Sequence, residues 1–147
     1  MSFMTSEMIK AAQKAWGDGI VKIASAHSAN EDYAKVAMNH VETLYAYGLT
    51  PVLFKPTLAA EQQFRSTFDE AMSYFVAANG VCKEDSGFAI KGWTKVRFEN
   101  VNILTEGKTG MAMGNYFFTT PEGDEVKVKV IGFDRGKVKL SIKQATT

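Results

Sequence analysis

Cysteine is almost missing from this chain. Cys82 stands alone among 147 residues, which excludes an internal disulfide and any cysteine-based metal cluster. Histidine is nearly as scarce, with only His27 and His40. A hydrolytic zinc site normally takes three protein ligands and keeps an open position, so no metal is expected. An excess of one charge is lacking too: 17 basic and 16 acidic residues leave a net charge of +1. The basic residues are scattered among acids, whereas a nucleic-acid binder gathers them on one face. Nucleic acid is therefore not an expected partner. No apolar run approaches the roughly 20 residues of a membrane span, so no membrane association is expected. The opening Met1-Ser2-Phe3-Met4-Thr5-Ser6-Glu7 lacks a basic stretch followed by an apolar one, so it does not read as a signal peptide. A reduced, cytoplasmic setting is the default.

What is present is globular. The chain is 46% hydrophobic and 22% charged, close to soluble averages. Its length suits one domain, residues 1–147, with a core large enough to need no staples. Met8, Ala12, Trp16, Ile20, Ile23 and His27 recur at helical spacing and predict a helix from about Thr5 to Ser28. Gly17 and Gly19 within it predict a kink or a close contact. Asn30, followed by Glu31 and Asp32, reads as the cap of a second helix with Tyr33, Val36, Ala37, His40, Val41 and Leu44 inward. Gly48 is its natural stop. Val52-Leu53-Phe54 reads as a short strand, ended by Lys55-Pro56-Thr57. Thr67-Phe68-Asp69-Glu70 has capping-box spacing and predicts a third helix running to Asn79-Gly80.

From Gly87 the apolar period changes to two. Val96 and Phe98 share one parity while Val101 and Ile103 take the other, which predicts a bulge near Asn100. Thr109–Thr120 is apolar or small on both faces and reads as a central strand covered on both sides. Two half-solvated strands follow, separated by a turn at Asp134-Arg135-Gly136-Lys137. Helices followed by an antiparallel meander give an α+β fold: N-terminal helices on a strongly curved sheet, with a cone-shaped pocket between them.

Few residues invite chemistry. Both histidines lie on apolar helix stripes, where a core role is the ordinary one. Cys82 lies beside Lys83 but has no histidine partner nearby in sequence. Gly110 and Gly114 sit within a strand and read as points of close backbone approach. What remains is a set of polar and aromatic residues expected near a pocket mouth: Lys55, Thr57, Glu61, Arg65, Ser73, Tyr74 and Trp93. Each has a plain alternative, with Tyr74 as an inward aromatic, Arg65 paired to Glu61 one turn earlier, and Trp93 as core filler.

Several stretches together resemble the iota-class carbonic anhydrases. They are Leu44-Tyr45-Ala46-Tyr47-Gly48, Val52-Leu53-Phe54-Lys55-Pro56-Thr57, Ala71-Met72-Ser73-Tyr74-Phe75-Val76, Glu84-Asp85-Ser86-Gly87-Phe88, Val96-Arg97-Phe98-Glu99-Asn100 and Ala112-Met113-Gly114-Asn115-Tyr116-Phe117-Phe118. The resemblance implies a nuclear-transport-factor-2-like (cystatin-like) cone fold, shared with the calcium/calmodulin-dependent kinase II association domain, and a homodimer. It implies CO2 hydration with no metal or other cofactor, by hydroxyl groups that hold water and bicarbonate. Thr57 and Tyr74 match the family's catalytic threonine and tyrosine. Lys55, Arg65, Ser73 and Trp93 would surround the small-molecule or bicarbonate-like anion, with Thr146 as a further hydroxyl.

The family's C-terminal His-His-Ser-Ser motif is absent: Lys143, Gln144, Ala145 and Thr146 stand in its place. Three readings therefore stay open. One is a metal-independent carbonic anhydrase, intact or degenerate. The second is a non-catalytic dimer module that binds a small ligand or anion, and the third is a purely structural subunit. The dimer is expected through the open sheet face that carries Met111, Met113 and Phe117.

Overall fold

The computed structural model describes residues 3–77, 79–134 and 137–141, with side chains through residue 127. Helix α1 spans Ser6–Ser28. It starts where the Thr5 hydroxyl accepts the Met8 N–H at 3.2 Å, as an N-cap should. Ile20 and Ile23 of its stripe are fully buried. The two glycines are contact points. A Cβ on Gly17 would stand 3.1 Å from Val96 Cβ, and one on Gly19 would strike the His40 ring. Their missing side chains let the sheet and the next helix approach α1 closely.

Helix α2 spans Tyr33–Leu44, and its cap is Asp32 rather than Asn30. Asn30 instead takes φ +57 and gives its N–H to the His27 carbonyl at 3.2 Å, closing α1. Asparagine tolerates that left-handed turn better than most residues. Gly48 also falls outside the helix; it turns the chain at φ +85 four residues later. Val52–Phe54 is not a strand. Among the described residues its backbone bonding is limited to the Phe54 carbonyl, which accepts the Arg65 N–H at 2.9 Å and closes a loop.

Helix α3 spans Phe68–Val76 and opens with the expected capping box between Thr67 and Glu70. It stops early, at Ala77 with φ +53. The Asn79 amide is occupied elsewhere, donating to the Asp69 carbonyl at 2.9 Å and accepting the Val81 N–H at 3.1 Å.

The strands β1 (Lys95–Glu106), β2 (Thr109–Thr119), β3 (Glu125–Asp134) and β4 (Lys137–Ser141) form an antiparallel meander in chain order. The β1–β2 register jumps between Asn100 and Asn102, the bulge foreseen from the parity switch. Gly114 faces that bulge, and a Cβ there would collide with the Glu99 carbonyl. The helices cover only the inner face of β1 and β2, where Phe118 is fully buried. The outer face is open, contrary to the expectation of a strand covered on both sides. Met111 is 64% and Met113 78% exposed. Phe117, on that same outer face, lies under the Arg97 guanidinium at 3.9 Å, which Glu125 holds through two bonds of 2.8 Å. Arg135, Gly136, Lys143, Gln144, Ala145 and Thr146 lie outside the described residues.

Candidate active site

The loop between α2 and α3 carries Lys55, Thr57 and Arg65, and Phe54 anchors it. The Phe54 ring stacks on Phe75 at 5.7 Å and also meets Tyr45 at 5.1 Å and Tyr74 at 6.1 Å. This aromatic wedge sets the loop against α3. It brings Thr57 and Tyr74, 17 residues apart in sequence, to one place. The Tyr74 hydroxyl oxygen accepts the Leu58 N–H at 3.3 Å. That bond uses a lone pair and leaves the phenolic proton to donate. The Thr57 hydroxyl lies 2.7 Å from that of Tyr116, on the inner face of β2.

The phenols here are neutral. Burial pushes Tyr74, Tyr45 and Tyr116 above the ordinary tyrosine value, because a phenolate loses its hydration inside the fold. Arg65 lies 5.7 Å from the Tyr74 ring centre and pulls the other way, but burial dominates. Lys55 is exposed. The site is therefore a cluster of uncharged O–H groups. It can donate to an oxygen that gains negative charge, and it contains no phenolate base at neutral pH.

A buried ion network holds the loop. Arg65, fully buried, pairs with both Asp85 oxygens at 2.6 and 2.8 Å. It also donates to the carbonyls of Gln62 and Glu70 at 2.9 and 3.1 Å. Its expected partner Glu61 is not the one used. The acids that reach it are Asp85 and, at 3.8 Å, Glu84. The reason is geometric: Leu58–Arg65 forms an irregular loop, so residues four apart share no helix face. The Glu84 carboxylate accepts the N–H groups of Ala60, Glu61 and Gln62 at 2.7, 3.0 and 2.7 Å. Those bonds, with Ala60's the strongest, hold the Glu84 pKa below the usual carboxylate range. Ser73 is also fully buried, and its hydroxyl donates to Asp85 at 2.6 Å.

Not all expected site residues meet at a pocket mouth. Arg65 and Ser73 face the network just described. Trp93, 8% exposed, donates to the Phe88 carbonyl at 2.8 Å and packs on Phe118 at 5.3 Å, as core filler does. Thr146 lies outside the described residues. A cavity of about 520 Å³ does open between α1 and the inner sheet face, among Met8, Ile9, Trp16, Tyr45, Phe98 and Tyr116. Thr57 and Tyr74 do not line it, and its link to them is Tyr116. Sequence reasoning passed over Tyr116 because its partner lies 59 residues away, and period-two spacing marks it only as an inward aromatic. Among the described residues no three His, Cys, Asp or Glu side chains gather as a metal site would require, and no helix is long and apolar enough to cross a membrane.

This hydroxyl cluster can be set beside known proteins. A protein named metal-independent carbonic anhydrase from Nostoc sp. is 35% identical over 144 residues, spanning 93% of this chain and 70% of that one. A solved structure, the iota-carbonic anhydrase from a cyanobacterium complexed with bicarbonate, superposes with a TM-score of 0.82 at 34% identity, covering 94% of this chain and 88% of that one. A stretch of 24 residues, 16% of this chain, is 96% identical to part of the polyribonucleotide nucleotidyltransferase of Pelagibacter ubique, covering 4% of that protein. The family described as metal-independent carbonic anhydrase matches residues 7–146. With nearly the whole chain inside that match, and the same fold in a relative, this chain belongs to the metal-independent carbonic anhydrase family.

Proposed function

We propose that this protein catalyses the reversible hydration of CO2 without a metal, with Thr57 and Tyr74 orienting the reactants. The observation that carries this reading is the pair of neutral hydroxyls held by one loop, through the Tyr74–Leu58 and Thr57–Tyr116 bonds. In hydration the water oxygen bonds to the CO2 carbon while one C=O electron pair moves onto its oxygen. Fixed O–H donors aimed at that oxygen stabilise the charge as it forms. The proton lost by the water leaves to a buffer base, since the buried phenols hold their own. Bicarbonate is the product. The relative solved with bicarbonate supports an anion of that size and charge as ligand here.

Lys55, exposed on the same loop, attracts the anion. Arg65 and Ser73 act at one remove, by fixing the loop and α3. Trp93 backs the site as packing. Thr146 would supply a further hydroxyl where the family has serine. The reading needs no cofactor. It includes a cytoplasmic setting, in keeping with the free thiol of Cys82.

The same proposal includes a homodimer. Val101, Leu104, Met111 and Met113 are each between 63% and 78% exposed, and Leu104 pairs with Met111 across the β1–β2 ladder. An isologous contact would remove this patch from water.

A second reading rests on one observation: Lys143 to Thr146 replace the family's C-terminal His-His-Ser-Ser. On it the protein binds a small anion without turnover. Grafting His at Lys143 and Gln144 with Ser at Ala145 and Thr146 tests the choice. An inert wild type that gains CO2 hydration with the graft supports the second reading. A wild type that is active before the graft supports the first.

A further inference from the structure

We propose that Tyr116 is a positioning residue for CO2 hydration: its hydroxyl donates to Thr57 and so frees the Thr57 proton for the substrate oxygen. This rests on the reading of Thr57 and Tyr74 as the reactive site.

The geometry starts on β2. Tyr116 sits on the inner face opposite Phe98, and their rings stack at 5.6 Å. Phe118 meets the Tyr116 ring edge-on at 4.9 Å and Trp16 stands at 5.9 Å. Three aromatic neighbours thus fix the ring, and with it the direction of the hydroxyl. Among the described residues that hydroxyl reaches one side-chain partner, Thr57, at 2.7 Å, the usual length of a good O–H···O bond.

Two hydroxyls joined by one bond leave one proton to spend elsewhere. Which one depends on donor strength. A phenol, with a reference pKa near ~10, is a much stronger acid than an aliphatic alcohol and hence the better donor. The threonine oxygen is the better acceptor. The bond therefore runs from Tyr116 to Thr57. A hydroxyl that accepts one hydrogen bond donates the next more strongly, because the chain polarises in one sense. Thr57 and Tyr116 are both half-buried, and with the bond in this sense the free proton lies on Thr57, next in the chain to the Leu58 N–H that holds the Tyr74 hydroxyl. When water attacks CO2, the oxygen that takes the electron pair then meets two donors, Thr57 and Tyr74.

The test is a double-mutant cycle on the full chain. Tyr116→Phe keeps the ring and its stacking and removes only the hydroxyl. Stopped-flow kinetics should show kcat for CO2 hydration falling about tenfold to a hundredfold, with KM for CO2 changed less than threefold. In a Thr57→Val background the same change should cost nothing further, since the group it acts through is gone. Thr57→Ser should keep the full dependence on Tyr116. A carbon-13 bicarbonate titration should show affinity weakened about tenfold in Tyr116→Phe, while its near-ultraviolet circular dichroism stays that of the wild type. An unchanged kcat and affinity in Tyr116→Phe overturn the proposal. So does a loss of equal size with and without the Thr57 hydroxyl, which would mark a purely structural effect. A wild type that neither hydrates CO2 nor binds bicarbonate removes the functional reading, and this inference with it.

Discussion

Single residues in this fold show how strongly burial decides their chemistry. His40 is 8% exposed, its Nε2 is without a partner among the described residues, and burial lowers its pKa from 6.5 to about 4. Between those two values the unfolded chain binds a proton that the folded chain refuses. The histidine's contribution to stability should therefore fall as pH drops from 6.5 to 4 and level off below. The histidine alone accounts for up to about 3 kcal/mol of that fall. Urea unfolding across this range checks it: His40→Leu should flatten the slope, and a variant as pH-sensitive as the wild type would contradict it. Arg65, by contrast, keeps its charge when buried, because Asp85 pairs with it. Asp85→Asn would leave a fully buried guanidinium without its main counter-charge and should cost about 3–5 kcal/mol by chemical denaturation. The sequence pointed to Arg65 but not to its partner. Glu61 is four residues away and would have served on a helix, whereas Asp85 reaches Arg65 only once the loop has folded back. Tyr116 was missed for the same reason. Local spacing carries no record of a bond between residues 20 or 59 positions apart.

Among elements, those specified by their own ends were readable. The Thr67–Glu70 capping box placed the start of α3 correctly, since both bonds lie within four residues. Its end was misplaced because Ala77 takes a left-handed turn that alanine seldom adopts, closed by its N–H on the Ser73 carbonyl. Val52–Phe54 has strand composition without a neighbouring strand, and composition alone cannot supply one. The bulge at Asn100 was legible, since a parity switch in buried residues has few other causes, although its requirement for Gly114 was not. Gly114→Ala should lower stability by about 1–3 kcal/mol, as the new Cβ meets the Glu99 backbone. Gly107→Ala is the control: it strains a positive φ, but no atom lies within 4 Å of the added carbon. A thermal melt in which Gly114→Ala is no worse than Gly107→Ala would show that the bulge can move aside.

At the scale of the whole molecule, helices on a curved sheet create both a concave side and an exposed one. The concave side holds the aromatic core and the hydroxyl cluster. The exposed side holds Leu104, Met111 and Met113, large apolar side chains of the kind an interface would cover. Light scattering at micromolar concentration should give twice the chain mass, and Met113→Lys should shift it toward one. A wild-type monomer would remove the dimer from this picture.

The most direct measurement is stopped-flow CO2 hydration by the purified, untagged protein in the presence of a strong chelator. Activity above buffer should persist with chelator, and Tyr74→Phe should lose most of it, because the ring stays and the donating hydroxyl goes. Activity unchanged in both Tyr74→Phe and Thr57→Val, or abolished by the chelator, would contradict a site built from neutral hydroxyls.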